Sequence, residues 1–338
     1  MSGQEYDAII IGGGPAGCSA ALHLAYHKRH VLVIDRGTSP MHFHTNSIMN
    51  FSSGSNYNEG RSLLRSLQGE ARAAGAEFIA GDVVEVSGRY PRFKVRTEPS
   101  YRTSDAKTYE TKTLLLATGT SRKHPRVRGQ WRSWLPVANV GNAAFYCPDC
   151  EAPLCADKKV LVVNAGTVGS ALHIANTLTR FTGSSNIHIL MTEDAYAPID
   201  EQDLTRLDSS PYEWTRGLIE DIAFPRPGVV QSLTLKTGEK LRANVFFVAF
   251  VDTPRSELAR QMGVDTDNKG NILTDHRGKT KVDGVWAAGD VRPITQQIAM
   301  ASGTGNYAAL MMNQFLGNDY EKDQEFDHPD YRRALHIE

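Results

Sequence analysis

The sequence predicts an α/β protein of two parallel-sheet units, the second inserted in the first. Three observations carry this. A strand, a glycine-rich turn, a helix, a strand and a terminal acid follow in order from Tyr6 to Asp35. The same order returns in degraded form from Lys159 to Met191. Two more strand-and-small-residue-turn segments, Leu114–Gly119 and Gly284–Asp290, stand on either side of that second copy.

Taken in order, Ala8 to Ile11 is a short, wholly apolar run, as a parallel strand covered on both faces requires. Gly12 permits a tight turn, Gly14 a close approach of backbone to a phosphate pair, and Gly17 close helix–strand packing. Cys18 to His27 reads as the helix, whose N-terminal end favours an anion. Val31 to Ile34 is the next strand and ends at Asp35, positioned to accept from a ribose hydroxyl. Together these form a Rossmann-like dinucleotide-binding unit. Arg89 to Thr111 alternates Tyr, Phe and Val between Pro and Ser turns, the pattern of a small β meander.

In the second copy, Lys159 to Val163 is the strand, Asn164-Ala-Gly-Thr-Val-Gly169 the turn, Ser170 to Arg180 the helix and Ile187 to Met191 the next strand. Thr120 to Gly129, polar, basic and Pro-containing, predicts the crossover out, and Asp252-Thr-Pro254 the crossover back. The expected organisation is residues 1–119 and 252–338 as one unit of the three-layer ββα type, with 120–251 inserted. The polar tail after Gly317, with Tyr331, reads as a partly ordered arm.

Composition narrows the function. The chain has 338 residues, 37 Lys plus Arg against 38 Asp plus Glu, and a net charge of −1, which gives no electrostatic case for nucleic acid. Four cysteines do not make a disulfide-stapled secreted scaffold. The start MSGQEYD shows no secretory signal, and the longest apolar run, Val245 to Val251, is too short to span a bilayer. A cytoplasmic location is the expectation, with peripheral membrane contact left open.

Cys147-Pro-Asp-Cys150 is the chemical centre. Two thiols at this spacing close a small disulfide ring. If Pro148 begins a helix, its missing N–H matters little there, and the helix end favours thiolate at the first cysteine. Half a zinc site and two inert core cysteines are the competing readings. A four-thiolate site needs two more ligands, and only Cys155 lies nearby; no metal is expected.

With these residues in view, the chain resembles the low-molecular-weight thioredoxin reductases, which hold FAD and a CxxC pair in an inserted nucleotide-binding-like domain. The likeness runs through the first glycine unit, Asn50-Phe51, Ala117-Thr-Gly119, the CxxC, Ala288-Gly-Asp290 and Ser302-Gly-Thr-Gly305. It implies FAD in the first unit, with Gly12, Gly14, Pro15, Ala16, Gly17, Asp35, Arg36 and Val84 along it. Ala117, Thr118, Gly119, Gly289 and Asp290 complete that set, Asp290 on the ribityl chain. Thr45 and Asn50 would approach the flavin, and Gln297 and Ile298 its pyrimidine edge. Cys150 would face flavin C4a, and Cys147 would exchange with a dithiol or disulfide partner, a protein or a small molecule. A homodimer is also implied.

The departures are as informative. Glu151 stands where the family places an Asp as acid/base, and is the candidate proton donor or acceptor. Asn164 and Ala165 replace the first two glycines of the second unit, where a side chain is expected to crowd the turn. Met191-Thr-Glu193 replaces the basic cluster for the NADPH 2′-phosphate, and Glu193 would repel that group or accept a ribose hydroxyl of NADH. The expectation is that ordinary NADPH reduction is lost. Among pyridine-nucleotide-independent relatives, the chain looks most like the diflavin-linked disulfide oxidoreductases, which implies room for a second FAD. Ferredoxin-dependent reductases and fungal-type dithiol oxidases compete. A conventional NAD(P)H-dependent thioredoxin reductase and a redox sensor without turnover are the alternatives.

Other features read more plainly. Met41-His-Phe-His44 fits a cofactor-adjacent loop better than a metal pair. Trp131 and Trp134 read first as packing and second as a stack for another isoalloxazine. Arg122, Lys123, Arg126, Arg128 and Arg132 read as a solvated linker able to steer an acidic partner. Cys18 and Cys155 read as a packed thiol and a spare one.

Overall fold

The computed structural model describes residues 5–98, 106–138, 143–223 and 232–317. Its first sheet collects β1 (Glu5–Ile11), β2 (Val31–Asp35), β3 (Glu77–Ala80), β4 (Asp82–Arg89), β5 (Arg92–Glu98) and β6 (Lys107–Leu116). The order across it is β3-β2-β1-β6-β5-β4. The first four in that order run parallel, and β4, β5 and β6 form the antiparallel meander. Ile9 and Ile11 pack toward Phe93, Val95 and Val285, while Ala8 and Ile10 pack toward the helices. Both faces are thus dry, which is why the strand has no polar residue from Ala8 to Ile11.

Helix α1 (Pro15–Tyr26) starts three residues before the predicted Cys18. Pro15 occupies the first turn, where its missing N–H is no loss and its fixed φ already suits a helix. α2 (Gly60–Ala73) packs against α1.

The chain then leaves along β7 (Thr120–Lys123). After α3 (Leu135–Ala138), β8 (Ala144–Phe145) and α4 (Pro148–Glu151) come β9 (Val160–Asn164), α5 (Val168–Thr182) and β10 (Ile187–Thr192). α6 (Glu201–Asp208) and β11 (Glu213–Gly217) follow, then the antiparallel trio β12 (Ile219–Ala223), β13 (Ser232–Leu235) and β14 (Lys240–Arg242). β8, β9, β10 and β11 join β15 (Val245–Ala249) in a second, wholly parallel sheet of order β11-β10-β9-β15-β8, and β12–β14 form a sheet of their own. α5 begins before the predicted Ser170 because Thr167 caps it, accepting from Ser170 N at 3.1 Å.

β16 (Val251–Pro254) pairs antiparallel with β7, Asp252 opposite Arg122. α7 (Glu257–Gln261) and β17 (Val285–Ala287) return the chain to the first sheet. β6 is long enough to serve two partners on one edge, β5 along Lys107–Thr111 and β17 along Leu114–Leu116. α8 (Ile298–Leu316) closes on α1 where a Cβ at Gly305 would meet Ala16 O at 2.1 Å. The architecture is α/β with Rossmann-type sheets, as predicted. Among the described residues no helix is long and apolar enough to cross a membrane. Tyr331 and the tail lie outside the described residues.

Candidate active site

The turn between β1 and α1 admits only glycine at two points. Gly12 has φ +111°, and a Cβ there would sit 2.2 Å from Ala117 O at the end of β6. A Cβ at Gly17 would sit 1.9 Å from Gly12 O. Beside this turn runs a cavity of about 520 Å³. Gly12, Gly14, Pro15 and Ala16 line it, and Asp35, Arg36 and Val84 also border it. Ala117, Thr118, Gly119, Gly289 and Asp290 border it as well. Gly17 lies behind the turn, and Thr45, Asn50, Gln297 and Ile298 are not on the cavity wall.

Asp290 is one of the charged residues that border this space. Its Oδ1 is buried and has no hydrogen-bond partner among the described residues. Burial pushes its carboxyl up to about 6; Arg122 opposes that rise and Asp252 adds to it. Arg255, which sequence reasoning missed, also borders the cavity and donates from Nη1 to Thr38 Oγ1 at 3.1 Å. The two partners are 217 positions apart, which leaves no local signal to find it by.

Cys147 and Cys150 are joined as a disulfide at the head of α4, Cys147 at the N-cap and Pro148 in the first turn. Glu151 closes that turn and is 4% exposed. Its Oε2 accepts from Tyr146 N at 2.8 Å and from Cys147 N at 3.1 Å, and its Oε1 from Asn46 Nδ2 at 2.9 Å. His44 Nδ1 stands 3.9 Å from Oε1. Burial lowers the pKa of His44 and so does Arg122, while Glu151 raises it. Gln297, the N-cap of α8, reaches both sulfurs: Nε2 is 3.6 Å from Cys147 Sγ, and Oε1 is 3.7 Å from Cys150 Sγ. Asn50 Nδ2 donates to that Oε1 at 2.9 Å. Ile298 packs instead beside Cys18, Met41, Ile48 and Leu63. Thr45 is half-buried in the loop between His44 and Asn46.

Two sequence expectations need correction. The basic run is not uniformly a solvated linker. Arg122 lies 4.7 Å over the Phe250 ring and 5.5 Å over that of Tyr146, near Asp252, because the pairing of β7 with β16 sets it opposite Asp252. Arg126 donates to Asp194 O and stacks on Tyr196; Arg128 pairs with Glu220 and Asp221. Asn164 does not crowd its turn. Its side chain braces it, Oδ1 accepting from Gly166 N at 3.0 Å and Nδ2 donating to Gly166 O at 3.3 Å. Trp134 is fully buried and donates to Tyr146 Oη at 2.9 Å, a packing role; Trp131 is half-exposed. Cys18 and Cys155 are buried free thiols, each pushed up to about 12 by burial. Among the described residues no three His, Cys, Asp or Glu side chains form a group able to hold a metal.

The family model for pyridine nucleotide-disulphide oxidoreductases matches residues 6–207 and 218–305. A thioredoxin reductase of Bacillus subtilis (strain 168) is 29% identical over 321 residues, covering 92% of this chain and 95% of its own length. The crystal structure of thioredoxin reductase from Streptococcus pyogenes superposes with a TM-score of 0.76 at 24% identity, covering 94% of this chain and all of that one. A structure described as HlmI superposes at 0.75 with 23% identity, over 98% and 96%. These two structural likenesses bear on the fold alone.

Proposed function

Because the chain belongs to the pyridine nucleotide-disulphide oxidoreductase family, we propose that it moves electrons between FAD in the cavity and the Cys147–Cys150 disulfide, without NADPH. The observation that carries this is the head of α8. Gln297 there touches both sulfurs, and Ala301, whose N–H donates to Gln297 O at 2.8 Å, lines the cavity. One helical turn thus borders both redox centres.

The cavity fits a dinucleotide. The Gly12–Ala16 turn supplies backbone with no side chain in front of a phosphate pair. Asp35 is placed for a ribose hydroxyl, and the orphaned Oδ1 of Asp290 needs a hydroxyl donor such as a ribityl chain carries. FAD bound there supplies two-electron redox chemistry. Glu151 fixes the CxxC turn through the amides of Tyr146 and Cys147, and with His44 beside it forms the proton-exchanging pair. Cys147 exchanges with a dithiol or disulfide partner, protein or small molecule. Residues 120–251 act as the inserted unit that carries the pair, and the chain works as a homodimer.

The second glycine unit supports the loss of NADPH use. Gly166 N, an amide that would otherwise face a phosphate, already donates to Asn164 Oδ1. Glu193 is exposed where β10 ends, and Arg126 is engaged by Asp194 O and Tyr196. Anaerobic titration tests the reading: neither NADPH nor NADH bleaches the flavin band within seconds, whereas a dithiol does. Rapid stoichiometric bleaching by either nicotinamide overturns it. A second FAD is a separate reading, tested by the FAD-to-polypeptide ratio after purification with added FAD; a ratio of one counts against it.

A further inference from the structure

We infer that Gln297 acts on the sulfurs themselves, making Cys147 the thiolate and Cys150 the thiol of the reduced pair. The inference rests on Cys147–Cys150 being the redox centre, and it needs no flavin.

In the structure Gln297 turns its Oε1 toward Asn50 Nδ2, which donates to it at 2.9 Å, and its Nε2 toward Cys147 Sγ, 3.6 Å away. Oε1 keeps a second lone pair, and Cys150 Sγ lies 3.7 Å away. While the S–S bond is intact neither sulfur carries a hydrogen. Oε1 then receives nothing from Cys150, and Nε2 meets only a weak acceptor at Cys147.

Reduction by a dithiol changes both contacts. The S–S bond breaks and two electrons enter. Of the two protons the dithiol gives up, one stays on Cys150 and one goes to solvent, and the reductant leaves as its own disulfide. Cys150 S–H now donates to Oε1, and Nε2–H donates to an anionic Cys147, a charge-assisted bond. The reverse assignment sets a thiolate against a carbonyl oxygen and a thiol proton against an N–H. The charged and titratable groups around the pair do not supply an alternative donor. Glu151 faces the Cys147 amide, His44 stands beyond Glu151, Asp149 is exposed on α4, and Arg122 lies over the Tyr146 ring. The Gln297 amide adds a side-chain donor at Cys147 Sγ to whatever the N-terminal end of α4 supplies.

The test equilibrates the full chain, as purified, with mixtures of reduced and oxidised dithiothreitol and counts thiols by mass after maleimide trapping. Gln297→Leu is expected to shift the equilibrium about tenfold toward the disulfide, the loss of roughly one net hydrogen bond. Gln297→Glu, of the same shape but without a donor, is expected to shift it at least as far. Asn50→Leu, which frees the amide to rotate, is expected to fall between Gln297→Leu and wild type. Iodoacetamide mapping across pH gives the second readout. In the wild type Cys147 is labelled first; in Gln297→Leu its half-labelling pH rises by about one unit and the preference fades. Labelling of Cys150 first in the wild type overturns the inference, as do leucine and glutamate variants within twofold of wild type. Thiols counted by mass give the same answer in a colourless preparation, so failure of the flavin reading shows up separately.

Discussion

Replacing Glu151 by alanine tests whether the carboxylate holds the CxxC turn. The residue is nearly fully buried, and three donors converge on it: Tyr146 N, Cys147 N and Asn46 Nδ2, at 2.8, 3.1 and 2.9 Å. A buried donor left without its acceptor costs about 1–3 kcal/mol. Three at the low end give ~3 kcal/mol. Removing a buried charge recovers part of its desolvation cost, and Cys147, half-exposed, can turn its amide to water. The net local loss is therefore about 2 kcal/mol, roughly a 30-fold change in the opening equilibrium of this turn. Hydrogen exchange of the peptide spanning Tyr146 to Glu151, measured on the oxidised chain, reads that equilibrium. Glu151→Ala is expected to lose about 30-fold of protection there and little in β9. Glu151→Gln keeps a carbonyl for the two amides but turns an NH₂ toward Asn46 Nδ2, and is expected to lose roughly tenfold or less. Protection in the alanine variant within threefold of wild type would refute the reasoning.

Three further outcomes follow from the same geometry. Gly12→Ala puts a methyl 2.2 Å from Ala117 O at φ +111°, and is expected to lower stability by more than ~3 kcal/mol and to abolish the yellow colour of the purified protein, read as the 450-to-280 nm ratio. Asp290 is raised from 3.8 to about 6 by burial, so in flavin-stripped protein its contribution to stability is intact below pH 3.8, declines as pH rises to about 6, and stays lost above. Stripped Asp290→Asn should then be more stable than stripped wild type at pH 8 by up to ~3 kcal/mol and converge with it at pH 4; a variant less stable at pH 8 contradicts this. Thr167→Ala removes the cap on Ser170 N and is expected to cost about 1 kcal/mol in urea unfolding, while Thr167→Ser restores most of it.

What the sequence disclosed was whatever is encoded locally. Gly12, Gly14 and Gly17 lie within six residues, so the turn and its helix could be read together. The Cys147–Cys150 spacing likewise contains its own ring closure. Helix starts were misjudged by two or three residues because apolar periodicity begins later than the backbone does, at Pro15 and at Val168. The partners of Glu151 were harder. Its amide donors are four and five residues back, but Asn46 is 105 residues away and no pattern links them. Arg122 sat in a run of cations that looks solvated, and only the pairing of β7 with β16 draws it between Tyr146 and Phe250. At Asn164 the residue type was noticed and its effect misjudged, because an asparagine can mimic with its side chain the hydrogen bonds a turn otherwise makes through backbone.

The pairing of β7 with β16 also bears on how the chain tolerates surgery. Thr120 sits opposite Pro254 and Lys123 opposite Val251, so the points of departure and return are neighbours across a two-strand ladder. In topological terms everything from His124 to Phe250 is the loop of one β-hairpin. A two-residue Asn-Gly connection after Lys123 would close that hairpin with ordinary geometry. The shortened polypeptide would keep every strand of the first sheet, and the excised stretch would begin and end side by side, ready for transplantation into another scaffold or for circular permutation.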